Sequence, residues 1–397
     1  MVITHTPDPI VAPERLFEGL VFVLLLACAL CGAQTNAVSG PTGNYLDVGG
    51  AKLWYEDCGS HSQPAVVLLH DGLVHSVTWD RVWAPLCAKY HVVRYDRRGY
   101  GRSEPAKAPF VPEDDLYKIM RQVQMYHAIL VGNSSGGGLA LDFVLAHPGM
   151  VDGLFLIGPV VHGMASSNYF VERGAQNNKP LEKGDTKGAA ENWSKDRFLI
   201  AGDDKAARKA IYDALTQNPQ NLKVDGGMEI RPSPPTVTRL SQIRAPTLIL
   251  VGDADIADVF AYSGAIEAAV PIAAFEVWKD TGHLIQLQKP AELVARLDQF
   301  VALAEREEIQ LTSRQLLEYG GHYKMGNGLA NVTVRENHLI LEIPGDPYYW
   351  LFAASDTKFF LRTEKTEIEF KKNTAGEVAE MVIHNNDGSV IRCPRAQ

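Results

Sequence analysis

Short apolar runs punctuate the chain from about residue 44 to 303. Ala65 to His70 reads AVVLLH, Tyr90 to Tyr95 YHVVRY, Ala128 to Val131 AILV, and Leu154 to Ile157 LFLI. Pro246 to Val251 reads PTLILV and Ala274 to Trp278 AFEVW. Gly, Asp or Pro follows most of these runs, as expected for strands covered on both faces of a sheet. Segments with helical patterning, such as Gly137–Ala146 and Ala291–Ala304, lie between or after them. The alternation predicts a mostly parallel α/β sheet. From 160 to about 243 the strand pattern gives way to polar, mostly helical sequence, for example Asp203–Leu215.

The last ninety or so residues have a different period. After a helix predicted over Ile309–Tyr319, apolar residues alternate with polar ones: Val332 and Val334, then Leu339, Leu341 and Ile343, then Ile368 and Phe370, then Ala379, Met381 and Ile383. Turn residues at Asn373–Gly376 and Asn386–Gly388 separate them. This predicts a small C-terminal antiparallel β domain over 306–397. Its strand edges and the aromatic residues Tyr348, Tyr349 and Trp350 offer surfaces for self-association.

At the other end, Leu20–Leu30 is an eleven-residue apolar run followed by Cys31, Gly32 and Ala33. It is shorter than the roughly 20 residues that span a bilayer. It has the length of a secretory signal, with cleavage before Gln34, so 1–33 reads as a signal peptide and the protein as exported, periplasmic or secreted. Arg15 is the only Lys or Arg before the run, which also leaves open a buried N-terminal helix. Leu25-Leu26-Ala27-Cys28 resembles a lipoprotein box, which would anchor the chain through Cys28.

Composition narrows the function classes. The 397 residues are 46% hydrophobic and 21% charged, as in a folded soluble protein. A net charge of −9, with no basic stripe, argues against nucleic acid as a partner and leaves a small-molecule substrate. Beyond the leader only Cys58, Cys87 and Cys393 remain, so at least one thiol is unpaired or pairs between chains. No cysteine–histidine spacing suits a metal, and nothing implies a nucleotide or flavin, so no cofactor is expected.

In parallel α/β sheets, chemistry collects at the carboxyl ends of the strands. After AILV comes Gly132-Asn133-Ser134-Ser135-Gly136 and then a helix. This G-x-S-x-G at a strand-to-helix turn exposes a hydroxyl above the sheet, which makes Ser134 the candidate nucleophile and Ser135 the alternative. A serine needs a base, and His283 in Asp280-Thr281-Gly282-His283 follows the last strand. The base needs an acid, and Gly252-Asp253-Ala254-Asp255 follows PTLILV, so either Asp253 or Asp255 could serve. An oxyanion needs N–H donors, and the turn His70-Asp71-Gly72-Leu73 with the N–H of Ser135 offers two. His70 itself reads as a hydrogen-bonded turn residue.

These motifs resemble the α/β-hydrolase fold of serine hydrolases over residues 44 to 303. The segment from Val66 to Pro105 has that family's histidine–glycine turn, its Trp79 helix and its Tyr95-Asp96-Arg97-Arg98-Gly99-Tyr100-Gly101-Arg102-Ser103 stretch. ILVGNSSGGGLALDFVLAHP, APTLILVGDADI and DTGHLIQLQKPAEL resemble its nucleophile, acid and base segments. The resemblance implies an α/β-hydrolase domain over 40–305 with a helical cap at about 160–243. It selects Asp255 over Asp253 as the acid and Gly72 as an oxyanion donor. Asp71 departs from the pattern, because relatives usually carry glycine there. The C-terminal Leu316-Leu317-Glu318-Tyr319-Gly320-Gly321-His322-Tyr323 resembles the opening of the barrel-like domain appended to β-lactamase-like serine hydrolases.

The function so implied is hydrolysis of a carboxylic ester or lactone through an acyl-Ser134 intermediate. Amide, peptide or carbon–carbon bond hydrolysis on the same triad fits the motifs as well. A non-catalytic binding protein that kept the fold would have no need of Ser134, Asp255 and His283 together.

Overall fold

The computed structural model describes residues 43–224 and 226–396. The segment read as a signal peptide, its expected cleavage site and Cys28 lie outside the described residues.

Two eight-stranded sheets organise the described residues. The first contains β1 (Asn44–Asp47), β2 (Lys52–Cys58), β3 (Ala65–Leu69), β4 (His91–Tyr95), β5 (Ala128–Asn133), β6 (Val151–Ile157), β7 (Thr247–Gly252) and β8 (Ala273–Trp278). Their order is β1-β2-β4-β3-β5-β6-β7-β8. The β1–β2 and β2–β4 pairs are antiparallel, and every later pair is parallel. The apolar runs of the sequence are the six strands from β3 to β8. β1 and β2 escaped that reading because their burial is broken by exposed polar residues.

The continuous hydrophobicity of the central strands has a direct cause. Val67, Leu69, Leu130, Leu154, Leu156, Ile249 and Val251 face one layer with helices Pro112–Gln122, Ser135–Ala146 and Ala257–Ala269. Val66, Leu68, Ile129, Val131, Phe155, Ile157, Leu248 and Leu250 face the other, with helices Asp80–Cys87 and Pro290–Ala304. Alternate residues thus point to opposite faces, and both faces are dry.

Between β6 and β7 the helices Asn168–Asn178, Thr186–Lys195 and Lys205–Gln217 form the cap region, each opened by a side-chain cap from Ser167, Asp185 or Asp204. Ala189, Ala190, Ile211 and Leu215 of this region form a separate apolar cluster with Val74, Leu284 and Leu287. That cluster seats the cap on the turn after β3 and on the loop after β8.

The second sheet is an antiparallel meander: β9 (Gly321–Met325), β10 (Gly328–Arg335), β11 (His338–Glu342), β12 (Tyr349–Ala353), β13 (Lys358–Phe360), β14 (Glu367–Lys372), β15 (Val378–His384) and β16 (Val390–Pro394). A Tyr323–Arg395 bridge and the Ala396 N–H donating to the His322 carbonyl bring its last strand back to its first, nearly closing the sheet. Tyr323, Phe359 and Phe370 fill its interior. The helix before it covers only Ser313–Tyr319, where Thr312 and Gln315 form a capping box. Ile309 is not helical because its N–H pairs with the Ala353 carbonyl of β12.

Of the aromatic residues expected at this domain's surface, Tyr348 is exposed, but Trp350 is buried against Ile340, Phe352 and Phe360. Arg362 donates to the Ala304 carbonyl and Arg296 to the Thr363 carbonyl, tying the domain to the last helix of the α/β layer.

Cys58 and Cys87 form a disulfide between the end of β2 and the end of helix Asp80–Cys87. Among the described residues Cys393 is the free thiol, and it is buried.

Candidate active site

The site assembles where the neighbouring strands β3, β5, β6, β7 and β8 end. β5 runs into Ser134, whose backbone lies at φ 55°, ψ −118°, before helix Ser135–Ala146 begins. A non-glycine residue rarely adopts this conformation, and its surroundings must hold it. The Ser134 N–H donates to the Ile157 carbonyl, and the Ser134 carbonyl accepts from Gly138 and Val160. The flanking glycines make the turn feasible. A Cβ at Gly136 would lie 2.3 Å from the Leu69 carbonyl oxygen, and one at Gly132 would lie 2.6 Å from the Gly136 carbonyl oxygen.

Ser135, the alternative nucleophile, has its hydroxyl occupied. Arg97 Nη2 donates to Ser135 Oγ at 2.7 Å and to the Asp71 carbonyl at 2.8 Å. As the first residue of its helix, Ser135 has an N–H that no earlier helical turn receives. Gly72 packs beside it, within reach of the Ser135 side chain. The two N–H bearing residues expected at an oxyanion site are therefore neighbours.

His283 and Asp255 meet across the ends of β7 and β8. His283 Nδ1 lies 2.7 Å from Asp255 Oδ2, and Asp255 Oδ1 accepts the Ile256 N–H. Both side chains are largely buried. Burial opposes the imidazolium, but the Asp255 charge, the Asp255 hydrogen bond and the nearby Asp71 outweigh it, so His283 titrates above 6.5. Asp253 does something else. Its Oδ1 accepts the Thr281 N–H, and the Ala254 N–H bonds to the Thr281 carbonyl, bracing the turn that presents His283.

Several residues of the site went unseen in the sequence. Asn133 donates through Nδ2 to the Ile157 and His283 carbonyls at 2.9 and 3.2 Å, and its Oδ1 accepts from Gln286. Its place inside G-x-S-x-G was the only available signal. Gly158, read merely as a strand stop, has φ +50°, and a Cβ there would lie 2.8 Å from His283 Nδ1. The cap also holds the base: the His283 and Leu284 N–H groups donate to the Phe198 and Leu199 carbonyls.

His70 is the turn residue it was taken for. Its Nε2 accepts the Arg97 N–H, so Nδ1 carries the proton and donates to the Asp71 carbonyl. Burial, reinforced by Arg97, holds its pKa well below 6.5, which keeps this tautomer neutral. Asp71 Oδ1 accepts the Leu73 and Val74 N–H groups at 2.7 Å each, while Oδ2 is buried with no partner among the described residues. Burial raises the Asp71 pKa above 3.8, against the pull of those two donors, His283 and Arg97.

Ser134, Ser135, Asp71, Gly72, Asp255 and His283 line one cavity of about 300 Å³, walled by cap residues including Phe170, Arg173, Trp193 and Leu222. A nucleophile-type serine, an imidazole–carboxylate pair and candidate N–H donors thus share a partly enclosed space.

Comparison with known proteins agrees with this architecture. An uncharacterized protein of Mycobacterium tuberculosis is 25% identical over 318 residues, spanning 75% of this chain and 92% of its own. Carboxylesterase CesB from Bacillus subtilis has a similar structure, with a TM-score of 0.55 at 22% identity over 66% of this chain and 91% of its own. Est816, described as an N-acyl homoserine lactone degrading enzyme, gives 0.53 at 23% identity over 65% and 100%. At such identities the solved structures speak for the fold. The sequence profile described as "Alpha/beta hydrolase family" matches residues 66–297, more than half of the chain, and on that match, with the strand order and the elbow at Ser134, this chain belongs to the alpha/beta hydrolase family of enzymes.

Proposed function

We propose that the protein hydrolyses a small carboxylic ester or lactone through an acyl-Ser134 intermediate. The observation that carries this reading is the 2.7 Å Asp255–His283 contact in the cavity that Ser134 lines from its strained turn. In the proposed reaction His283 Nε2 takes the hydroxyl proton as Ser134 Oγ attacks the substrate carbonyl. The resulting oxyanion receives the N–H groups of Gly72 and Ser135. Collapse breaks the acyl–oxygen bond, and the proton passes from His283 to the departing alcohol. Water, deprotonated by His283, then attacks the acyl-Ser134 carbonyl; the second collapse breaks the bond to Ser134 Oγ, which takes the proton back from His283 as the acid leaves. The roughly 300 Å³ cavity suits a compact substrate. That the structural neighbours include a carboxylesterase and a lactone-degrading enzyme favours an ester or lactone over an amide.

We also read the protein as working in an oxidising compartment, in keeping with an exported chain. The Cys58–Cys87 disulfide supports this, since such bonds persist mainly outside the reducing cytosol.

The test is labelling with a fluorophosphonate, followed by peptide mapping. The label should fall on Ser134, and Ser134→Ala should abolish both labelling and hydrolysis of short p-nitrophenyl esters. A label on Ser135, or none on a folded protein, would refute the assignment.

A further inference from the structure

At the opposite end of the first sheet, away from the strand ends that build the candidate active site, lies a second cluster of chemically competent side chains. His91 opens β4 and Asp57 is the next-to-last residue of β2, which runs antiparallel to it. His61 stands in the loop between β2 and β3. One ligand atom from each of the three lies within 4.8 Å of the others, and among the described residues this is the one such set. The His61 and His91 rings are 4.2 Å apart between centroids, tilted by 34°.

His91 is the telling member. It is only 3% exposed, and its Nε2 is buried with no hydrogen-bond partner among the described residues. Asp57 Oδ2 is 3.8 Å away, too far for a hydrogen bond. A buried, unpartnered ring nitrogen costs free energy unless something satisfies it. A cation between Nε2 and Oδ2 would do so, with bonds of about 2.0–2.2 Å to each. Asp57 and His61 lie at the surface, so modest rotation can draw their atoms in, whereas His91 is set by the sheet.

We propose that Asp57, His61 and His91 bind a divalent transition-metal ion of the zinc class, completed by water. Two imidazoles and one carboxylate suit zinc, whereas magnesium and calcium prefer all-oxygen sets. The ion would clamp the β2–β3 loop to the first residue of β4. The Pro64 carbonyl already accepts the His91 N–H there, and the Cys58–Cys87 disulfide crosses the same corner. Its role is structural, because the ligands sit at the amino end of β4 while Ser134 and His283 follow the carboxyl ends of β5 and β8.

The experiment uses the full chain, stripped with EDTA and then titrated with zinc chloride, with calorimetry and thermal unfolding as readouts. One equivalent should bind at micromolar free zinc and raise Tm by several degrees, whereas calcium should do neither. His61→Ala and Asp57→Asn, both surface changes, should weaken binding on the order of 100-fold while ester hydrolysis stays unchanged. Cobalt(II) should give visible absorption bands in the wild type that His61→Ala abolishes. His283→Ala should bind zinc as the wild type does. Absence of binding in the wild type overturns the proposal, as does wild-type affinity in the ligand variants or loss of binding in His283→Ala.

Discussion

Asn133 Nδ2 donates to the backbone carbonyl of His283 at 3.2 Å, so the residue before the candidate nucleophile holds the loop of the candidate base. The same amide reaches Ile157, and its oxygen receives Gln286, which also donates to Thr78. Asn133 is fully buried. Asn133→Ala should therefore remove the side-chain donor to the His283 carbonyl and the acceptor for Gln286, and lower stability by about 1–3 kcal/mol. It should also loosen the Ser134–His283 geometry and reduce kcat by about 10- to 100-fold, with a smaller change in KM. Denaturant unfolding and ester kinetics on the same preparation check both.

The pH profile follows from the charges around His283. The neutral imidazole is the base, so activity should rise as the proton leaves. The folded pKa lies above 6.5, so the midpoint should fall on the alkaline side of an ordinary imidazole. The same shift has a stability consequence. The protonated His283–Asp255 pair stabilises the fold below the unfolded pKa, and that contribution is lost as pH rises through the folded one. Asp71 is one of the groups that raise His283. Asp71→Asn keeps an acceptor for the Leu73 and Val74 N–H groups but removes the charge, so the activity midpoint should move to lower pH. An unmoved midpoint in kcat/KM would show that Asp71 carries no charge felt by His283.

The two aspartates after β7 should separate cleanly. Asp255→Asn removes the charge beside His283 and should cut kcat on the order of 10³- to 10⁴-fold. Asp253→Asn retains an oxygen for the Thr281 N–H and should cost little. Steady-state kinetics of both variants decide between them, and the reverse ranking would transfer the acid role to Asp253.

The disulfide closes a loop with a sequence separation of 29. Replacing Cys58 and Cys87 together by alanine should lower stability by about 2–4 kcal/mol and leave kcat nearly unchanged. Equilibrium unfolding with and without reductant measures the first, and initial rates the second.

The sequence by itself determined the layered α/β plan, because strands covered on both faces must be apolar along most of their length, as β3, β5, β6 and β7 are. It also determined the elbow at Ser134, since Gly132 and Gly136 sit where a Cβ would strike backbone. The period-two pattern after residue 320 likewise announced the antiparallel sheet. What lay beyond it were contacts between residues far apart in the chain. Asp255 and Asp253 are equivalent as local sequence, and only the parallel pairing of β7 with β8 gives one to His283 and the other to a backbone N–H. The Ser135 hydroxyl is engaged by Arg97, which β4 delivers from 38 residues away. Asn133, Gly158 and the buried nitrogen of His91 carry no sequence pattern of their own. Their roles depend on which strand ends the sheet order makes neighbours, and hydrogen bonds and steric fit are decided at that range by tertiary packing rather than by local periodicity.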